Sequence, residues 1–423
     1  MSYKEALDYL ERLEKTEVPH FLQPGVGLKR LKLLLKELGN PEKKLRGINV
    51  VGTSGKGSIT KMFAVILKEA GYKVGATYSP QLISFEERIM VNGRAIGKKE
   101  LAALLGVLKP KIEKLAKSGE MPSYYEISIA LALKYFSEQR CDWVVLEAAM
   151  GGRYDCTNVL GKQEMVLVSK IGFDHQRFLG NTLEEIAFDK AGIIKKGSKV
   201  FVIDQKESVL EVFGREARQK KVSLELIKES TNNVQISYSG TTFEYKNEQY
   251  KTPLIGLHQA INALLVLRAA EELVLNNKIV QKALRKAYLP GRMQVLPGEP
   301  KVVLDVAHNP QKMRAVAETL EILPHKNLCL VLGIMADKDV EGALDEILPL
   351  ASKACFALPR TSGRKVADFS RYASLAEKFK VKYDLCANPH KALEVARKES
   401  KKDDLICVTG SFAVVAEILK SGS

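Results

Sequence analysis

Gly47-Ile48-Asn49-Val50-Val51 runs straight into Gly52-Thr53-Ser54-Gly55-Lys56-Gly57-Ser58, and then into the apolar-periodic stretch from Ile59 to Ala70, closed by Gly71. The five residues before Gly52 read as a buried strand, the glycine-rich segment as a loop, and the third stretch as a helix. A further strand, Tyr72 to Thr77, follows at once. Strand, glycine-rich loop, helix, strand is the opening of a parallel sheet. Glycines let backbone N–H groups close around phosphate oxygens, the helix start adds partial positive charge, and Lys56 adds a full one. The strict phosphate-loop pattern G-x-x-x-x-G-K-[ST] fails twice: Val50 stands at its first glycine, and Gly57 displaces the hydroxyl to Ser58. From the pattern alone, the segment is a phosphate loop or a tight structural turn.

Outward from this stretch the alternation continues. Helical patterns cover Leu28 to Leu38, Lys98 to Lys117 and Tyr125 to Gln139, and apolar runs cover Asp142 to Leu146, Met165 to Ser169 and Lys199 to Ile203. Between Val222 and Tyr250 the texture changes to alternating Thr- and Tyr-rich residues with a Ser-Gly turn, which predicts a small antiparallel appendage. A long helix from about His258 to Leu275 follows, and then two Pro-Gly segments, Leu289-Pro290-Gly291-Arg292 and Leu296-Pro297-Gly298-Glu299-Pro300, that read as a linker. Beyond them VVLDVA, LCLVLGI, ACFALP, VKYD and LICVTG alternate with helical patterns. The expectation is two α/β domains, residues 1–295 and 296–423, each on a mostly parallel sheet.

Composition bounds the function. The 423 residues are 46% hydrophobic and 27% charged, which is ordinary for a globular chain and excludes disorder throughout. Apolar runs such as Ala263 to Leu267 fall far short of the ~18 residues that cross a bilayer. The charged opening MSYKEALDYLERLEK is no signal peptide, and six cysteines without a CxxC pair suit a reducing compartment, so a cytoplasmic location is expected. A net charge of +15 attracts anions without naming them. No Arg-rich tract or nucleic-acid module appears, so a polyanionic small substrate is preferred to nucleic acid.

In open α/β sheets, ligands bind beyond the carboxyl ends of strands. Three such ends carry unusual polar residues: Ser79 after Thr77, Glu147 after Leu146, and His175 in Gly172-Phe173-Asp174-His175. Hydroxyl, carboxylate and imidazole near a triphosphate would suit Mg²⁺, which takes a few protein ligands together with phosphate oxygens. Each alone is more often a structural or solvated residue; with the loop they read as one metal–nucleotide site.

These segments resemble the folylpolyglutamate synthase family, with the related dihydrofolate synthases, among the Mur-type ATP-dependent amide ligases. VVGTSGKGS is similar to the family's shortened phosphate loop, and YSPQLISFEERI to its folate-side loop. LEAAMGGRYDCTNV, IGFDHQRFLGNTLEEIAFDKAGIIK, GLHQAINA, LPGRM, LDVAHNP and CVTGS follow in the family's order. The resemblance implies a P-loop-type first domain and a Rossmann-like second one. It implies ATP contacts at Gly52, Thr53, Ser54, Gly55, Lys56, Gly57, Ser58, Asn262, Arg292 and Asp305. It places two Mg²⁺ ions on Ser79, Glu147 and His175, and matches Lys190 to a lysine that is carbamylated in the family. His308 would accept a proton or position glutamate, oriented by Asp305, and Ser411 matches a further cleft position. Substrates would be folate, L-glutamate and ATP, with closure of two domains protecting an acyl phosphate from water; the sequence does not show an oligomeric state, and a monomer is the default expectation.

Several residues depart from the family pattern: Ser54 for Asn, Asn49 for His, Gln81 for His, and Tyr154 and Cys156 beside Asp155. They bear on folate selectivity more than on phosphate chemistry. Three alternatives stand beside this family. A bifunctional enzyme would also make dihydrofolate from dihydropteroate. A UDP-sugar peptide ligase would need a domain ahead of Gly52, where 51 residues are too few. A nucleotide-switch NTPase leaves GLHQAINA and LDVAHNP without a role.

Overall fold

The computed structural model describes residues 1–15, 25–228, 232–361 and 365–420. The chain divides into two compact units, Met1–Ser230 with Ile261–Ala287, and Thr231–Ala260 with Tyr288–Ser423. The first is built on an eight-stranded sheet: β1 (Arg46–Val51), β2 (Val74–Thr77), β3 (Ile89–Val91), β4 (Arg94–Ala95), β5 (Trp143–Glu147), β6 (Lys162–Val168), β7 (Lys199–Ile203) and β8 (Leu224–Ile227), in the order β4-β3-β2-β5-β1-β6-β7-β8. From β2 across to β8 the strands are parallel; β3 and β4 are an antiparallel edge. β1 is buried from Gly47 onward and β5 throughout, because helices cover both faces, and their near-continuous apolar runs follow from that.

β1 lies between β5 and β6, with Val50 opposite Glu147 and Val51 opposite Val168. Their carboxyl ends therefore finish level, and the loops after them share one edge of the sheet. The helix Lys56–Glu69 buries Ile59, Met62, Phe63, Ile66 and Leu67, the spacing expected of a stripe laid on the sheet.

In the second unit, β9 (Asn232–Ser237), β10 (Gly240–Tyr245) and β11 (Glu248–Thr252) form a three-stranded antiparallel sheet. A six-stranded sheet comprises β12 (Gln294–Leu296), β13 (Lys301–Leu304), β14 (Leu328–Leu332), β15 (Lys353–Ala357), β16 (Lys382–Cys386) and β17 (Leu405–Thr409), ordered β12-β13-β17-β14-β15-β16. All its pairs are parallel except β12 with β13. The α/β class with an antiparallel appendage is as expected.

The division of the chain differs from the expected 1–295 and 296–423. The appendage groups with the second unit because Ile236 and Tyr238 pack on that unit's apolar core and the Tyr238 hydroxyl donates to Pro324 O at 2.9 Å. The expected linker is no loose tether either. Residues 294–296 are strand β12, and Met293 N–H and Gly291 O bond to Asp305 and Val306 in the same unit. The short hairpin β3–β4 went unread; its turn is Asn92-Gly93, both at positive φ, a strong hairpin signal in hindsight. All six cysteines are buried with free thiols. Among the described residues no helix is long and apolar enough to cross a membrane.

Candidate active site

The phosphate-loop candidate is held from below. Thr53 N–H donates to Lys170 O at 2.9 Å, Thr53 Oγ1 donates to Gly172 O at 2.9 Å, and Gly172 N–H donates back to Thr53 Oγ1 at 3.0 Å. The loop is thereby tied to the segment that leads into Asp174 and His175. Gly52 (φ 143°) and Gly55 (φ 88°) adopt backbone conformations that side chains disfavour. Neither has room for a side chain: a Cβ on Gly52 would lie 1.8 Å from Ser169 Oγ, and one on Gly55 would lie 2.6 Å from Asn262 Oδ1. Gly55 begins the helix Lys56–Glu69 with no side-chain cap. The first-turn N–H groups of that helix point toward the loop, as an anion receptor requires.

Two lysine nitrogens converge on one carbonyl here. Lys56 Nζ donates to Gly52 O at 3.2 Å and to Thr53 O at 3.4 Å, and Lys190 Nζ donates to Gly52 O at 2.9 Å. Lys190 is only 4% exposed. Burial, then the charge of Lys56, hold its pKa down to about 7, against the pull of Asp189 and Asp174. Near neutrality a large part of Lys190 is therefore free amine, which is rare for a lysine.

Lys190 is positioned by a staple that motif reading missed. Gly152 N–H donates to Asp189 Oδ1 at 2.8 Å and Arg153 N–H to Asp189 O at 2.7 Å. Gly152 packs on the helix Leu183–Ala191 so closely that a Cβ would fall 2.4 Å from Lys190 O. The loop after β5, which carries Glu147, is thus locked to the helix that carries Lys190. Adjacency of Asp189 to the lysine was the available signal.

Glu147 ends β5, 5% exposed, and its Oε2 accepts the N–H of Ser79 at 3.2 Å. The register explains the meeting: β2 and β5 are parallel with Thr77 opposite Leu146, so both chains leave the sheet side by side. His175 sits at the start of the short helix Gln176–Leu179 with φ 54°, its side chain 41% exposed, its Nε2 3.8 Å from Asp174 Oδ1. Asp155 is buried and fully employed, accepting from Ala149, Met150 and Thr157 N–H and the Thr157 hydroxyl, so its role is to shape the loop after Glu147. Of the predicted first-unit residues, the structure brings together Ser79 with Glu147, Lys56 with Lys190, and Asn262 with Gly55. Among the described residues no group of three or more His, Cys, Asp or Glu side chains is arranged for a metal. The predicted set holds only two such side chains and a hydroxyl, and it suits an ion that takes its remaining ligands from phosphate and water. A buried carboxylate beside Ser79 fits a hard cation of that kind.

In the second unit, Asp305 follows β13 and is 7% exposed. Its carboxylate accepts Met293 N–H at 2.9 Å and Ala307 N–H at 2.8 Å. Burial pushes its pKa up, opposed by Arg292, those two N–H groups and Lys312. His308 Nδ1 is 2.9 Å from Val306 O and its Nε2 is 3.1 Å from Lys312 Nζ. The Arg292 guanidinium lies 5.3 Å over the Phe412 ring, and Phe412 is 6.0 Å from the His308 ring. Ser411, 4% exposed, caps its own helix by accepting Val414 N–H at 3.2 Å. Lys312 and Phe412 were not singled out from sequence; the i, i+4 spacing of His308 and Lys312 was the one signal.

Two α/β units, each with polar residues at strand ends and one with a phosphate-loop candidate, are the arrangement of an ATP-dependent ligase of the Mur type. Residues 50–270 match the Mur ligase middle domain, and residues 291–412 the Mur ligase glutamate ligase domain. A Bacillus subtilis (strain 168) protein named dihydrofolate synthase/folylpolyglutamate synthase is 34% identical over 418 residues, which is 94% of this chain and 95% of that one. Mycobacterium tuberculosis folylpolyglutamate synthase complexed with ADP superposes with a TM-score of 0.89 at 25% identity, covering 99% of this chain and 98% of that one. E. coli FolC in complex with DHPP and ADP gives 0.85 at 27%, covering 100% and 97%. The chain belongs to the dihydrofolate synthase/folylpolyglutamate synthase family of Mur ligases.

Proposed function

We propose that this protein joins L-glutamate to the γ-carboxylate of a folate, using ATP, with dihydropteroate as a second acceptor. A carboxylate does not react with an amine at neutral pH, because the leaving group would be oxide. ATP solves this by transferring its γ-phosphoryl group to the carboxylate oxygen, releasing ADP. The amino group of glutamate then attacks the acyl carbon, the amide C–N bond forms, inorganic phosphate leaves, and the amine gives up a proton. The first step brings anion against anion, so its barrier is largely electrostatic. Lys56 and the uncapped helix start of Lys56–Glu69 supply fixed positive charge for it, and Arg292 is assigned the same task.

Ser79, Glu147 and His175 are the residues that would hold Mg²⁺, two ions in this reading. Bound there, the metal supplies neutralising charge to phosphate oxygens. Lys190 is assigned as a carbamate. Its free amine adds to CO₂ with loss of one proton, replacing a buried neutral amine with an anion suited to a cation-rich site. The convergence of Lys56 and Lys190 on Gly52, beside the buried Glu147 end of β5, is the observation that carries the reading. The acceptor and the incoming amino acid come from the family, whose B. subtilis member is named for both activities. The enzyme acts on these small molecules in the cytosol, as a monomer and without nucleic acid.

Incubation with ATP, glutamate and either tetrahydrofolate or dihydropteroate, followed by mass analysis, tests this. Phosphate should appear only when acceptor and glutamate are both present, with one glutamate added per phosphate. Hydrolysis of ATP that ignores both would refute the ligase reading in favour of a nucleotide switch.

A further inference from the structure

The end of β13 holds a hydrogen-bonded pair whose protonation the chemistry decides. A carbonyl oxygen only accepts, so the contact of 2.9 Å from His308 Nδ1 to Val306 O puts the ring proton on Nδ1. An ammonium only donates, so the contact of 3.1 Å from Lys312 Nζ makes Nε2 the acceptor. In these two contacts His308 turns its Nε2 lone pair to a lysine. Taking a proton from an incoming amine would require displacing that lysine first. The ring is better placed to aim the ammonium than to act as a base.

The surroundings favour an anion in front of that ammonium. Asn309 caps the helix Pro310–Ile322 by accepting Lys312 N–H at 3.0 Å, which fixes the backbone from which the side chain turns back one helical turn. Arg292 and Lys312 both act on the buried Asp305, whose two oxygens receive Met293 and Ala307 N–H. Phe412 lies beside His308 and beneath Arg292, an apolar wall under the guanidinium. Two cations gather at one strand end, in a protein whose proposed substrates all carry carboxylate or phosphate oxygens.

We infer that Lys312 contacts substrate directly, receiving a carboxylate or phosphate oxygen, with His308 as its positioning partner. The inference rests on the ligase reading. Kinetics of Lys312→Met, with KM for glutamate and for ATP measured separately and ADP affinity read by calorimetry, identify the source. A rise of about tenfold in glutamate KM assigns a carboxylate, and a comparable loss of ADP and ATP affinity assigns a phosphate. Lys312→Arg should recover most of the loss, and His308→Gln, which keeps an acceptor, should lose less than His308→Ala. Should Lys312→Met not fold, Lys312→Gln reads the same charge loss. Folded variants with both KM values and ADP affinity within twofold of the parent overturn the inference, as does a fall in kcat alone. A parent protein that ligates no glutamate overturns the ligase reading and this inference with it.

Discussion

Two strand-to-helix junctions in this molecule solve one problem in opposite ways. At the first, β1 leads through Gly52 and Gly55 into the helix Lys56–Glu69, which has no side-chain cap. At the second, β13 leads through Asp305 and His308 into the helix Pro310–Ile322, whose first turn is closed by Asn309 and begun with Pro310. The first junction puts no side-chain acceptor at its helix start, so an anion bound there would be met by backbone N–H groups. The second has satisfied its own backbone, and recognition there must come from side chains. A glycine-built junction can be read from sequence as a pattern; a side-chain-built one depends on which residues meet in space.

The contrast breaks most visibly at Lys56. If the first junction is the phosphate site, Lys56→Ala should cut turnover by ~10²–10³, as loss of one preorganised charge contact commonly does. Glu147→Ala should lose as much. Turnover within tenfold of the parent would remove the loop and the β5 end from the mechanism.

Lys190 sharpens the first junction through pH. Its pKa falls from an ordinary 10.5 to about 7 on folding, so between those values the unfolded chain holds the extra proton. Stability from this group is therefore lowest below pH 7 and rises as pH climbs toward 10.5, with a slope of at most ~1.4 kcal/mol per pH unit. Urea unfolding at pH 7, 8 and 9 should show the rise, and Lys190→Met should flatten it. Part of the slope should survive, because burial and Lys32 lower Lys195 to about 8. An unaltered slope in Lys190→Met would mean that the lysine is solvated. Bicarbonate should restore activity to carbon dioxide-depleted parent protein, with a carbamate signal from carbon-13-labelled bicarbonate that Lys190→Met lacks.

Gly55→Ala tests the backbone half of the comparison. Left-handed geometry costs a non-glycine residue about 1–2 kcal/mol, and here the new methyl also meets Asn262. Calorimetric ADP affinity should fall about tenfold or more. Unchanged affinity would show that the loop's shape is structural.

How much of this was legible follows the same division. The β1–loop–helix unit, the strand ends at Ser79 and Glu147, and the alternation of the second unit are local patterns, and periodicity exposes them. The place of residues 231–260 was not legible, because it is decided by where Ile236 and Tyr238 find an apolar surface and not by their own spacing. Asp189 and Lys312 were passed over for a similar reason. Each works through one long-range or one-turn contact, and neither residue type is unusual on a helix.

The smallest expected effect bears on the second junction alone. Asn309 accepts Lys312 N–H at 3.0 Å and sits ahead of Pro310, whose missing N–H leaves fewer groups to satisfy. Replacing it with alanine removes the side-chain acceptor while the first-turn N–H groups stay, which should cost about 1 kcal/mol of unfolding free energy. Asn309→Ser and Asn309→Asp should recover most of that, since both retain an oxygen at the same reach. The equivalent position of the first junction is Gly55, which has no such acceptor to lose. If Asn309→Ala unfolds at the same urea concentration as the parent, that helix start is satisfied from elsewhere, and the opposition between a self-closed junction and an open one fails.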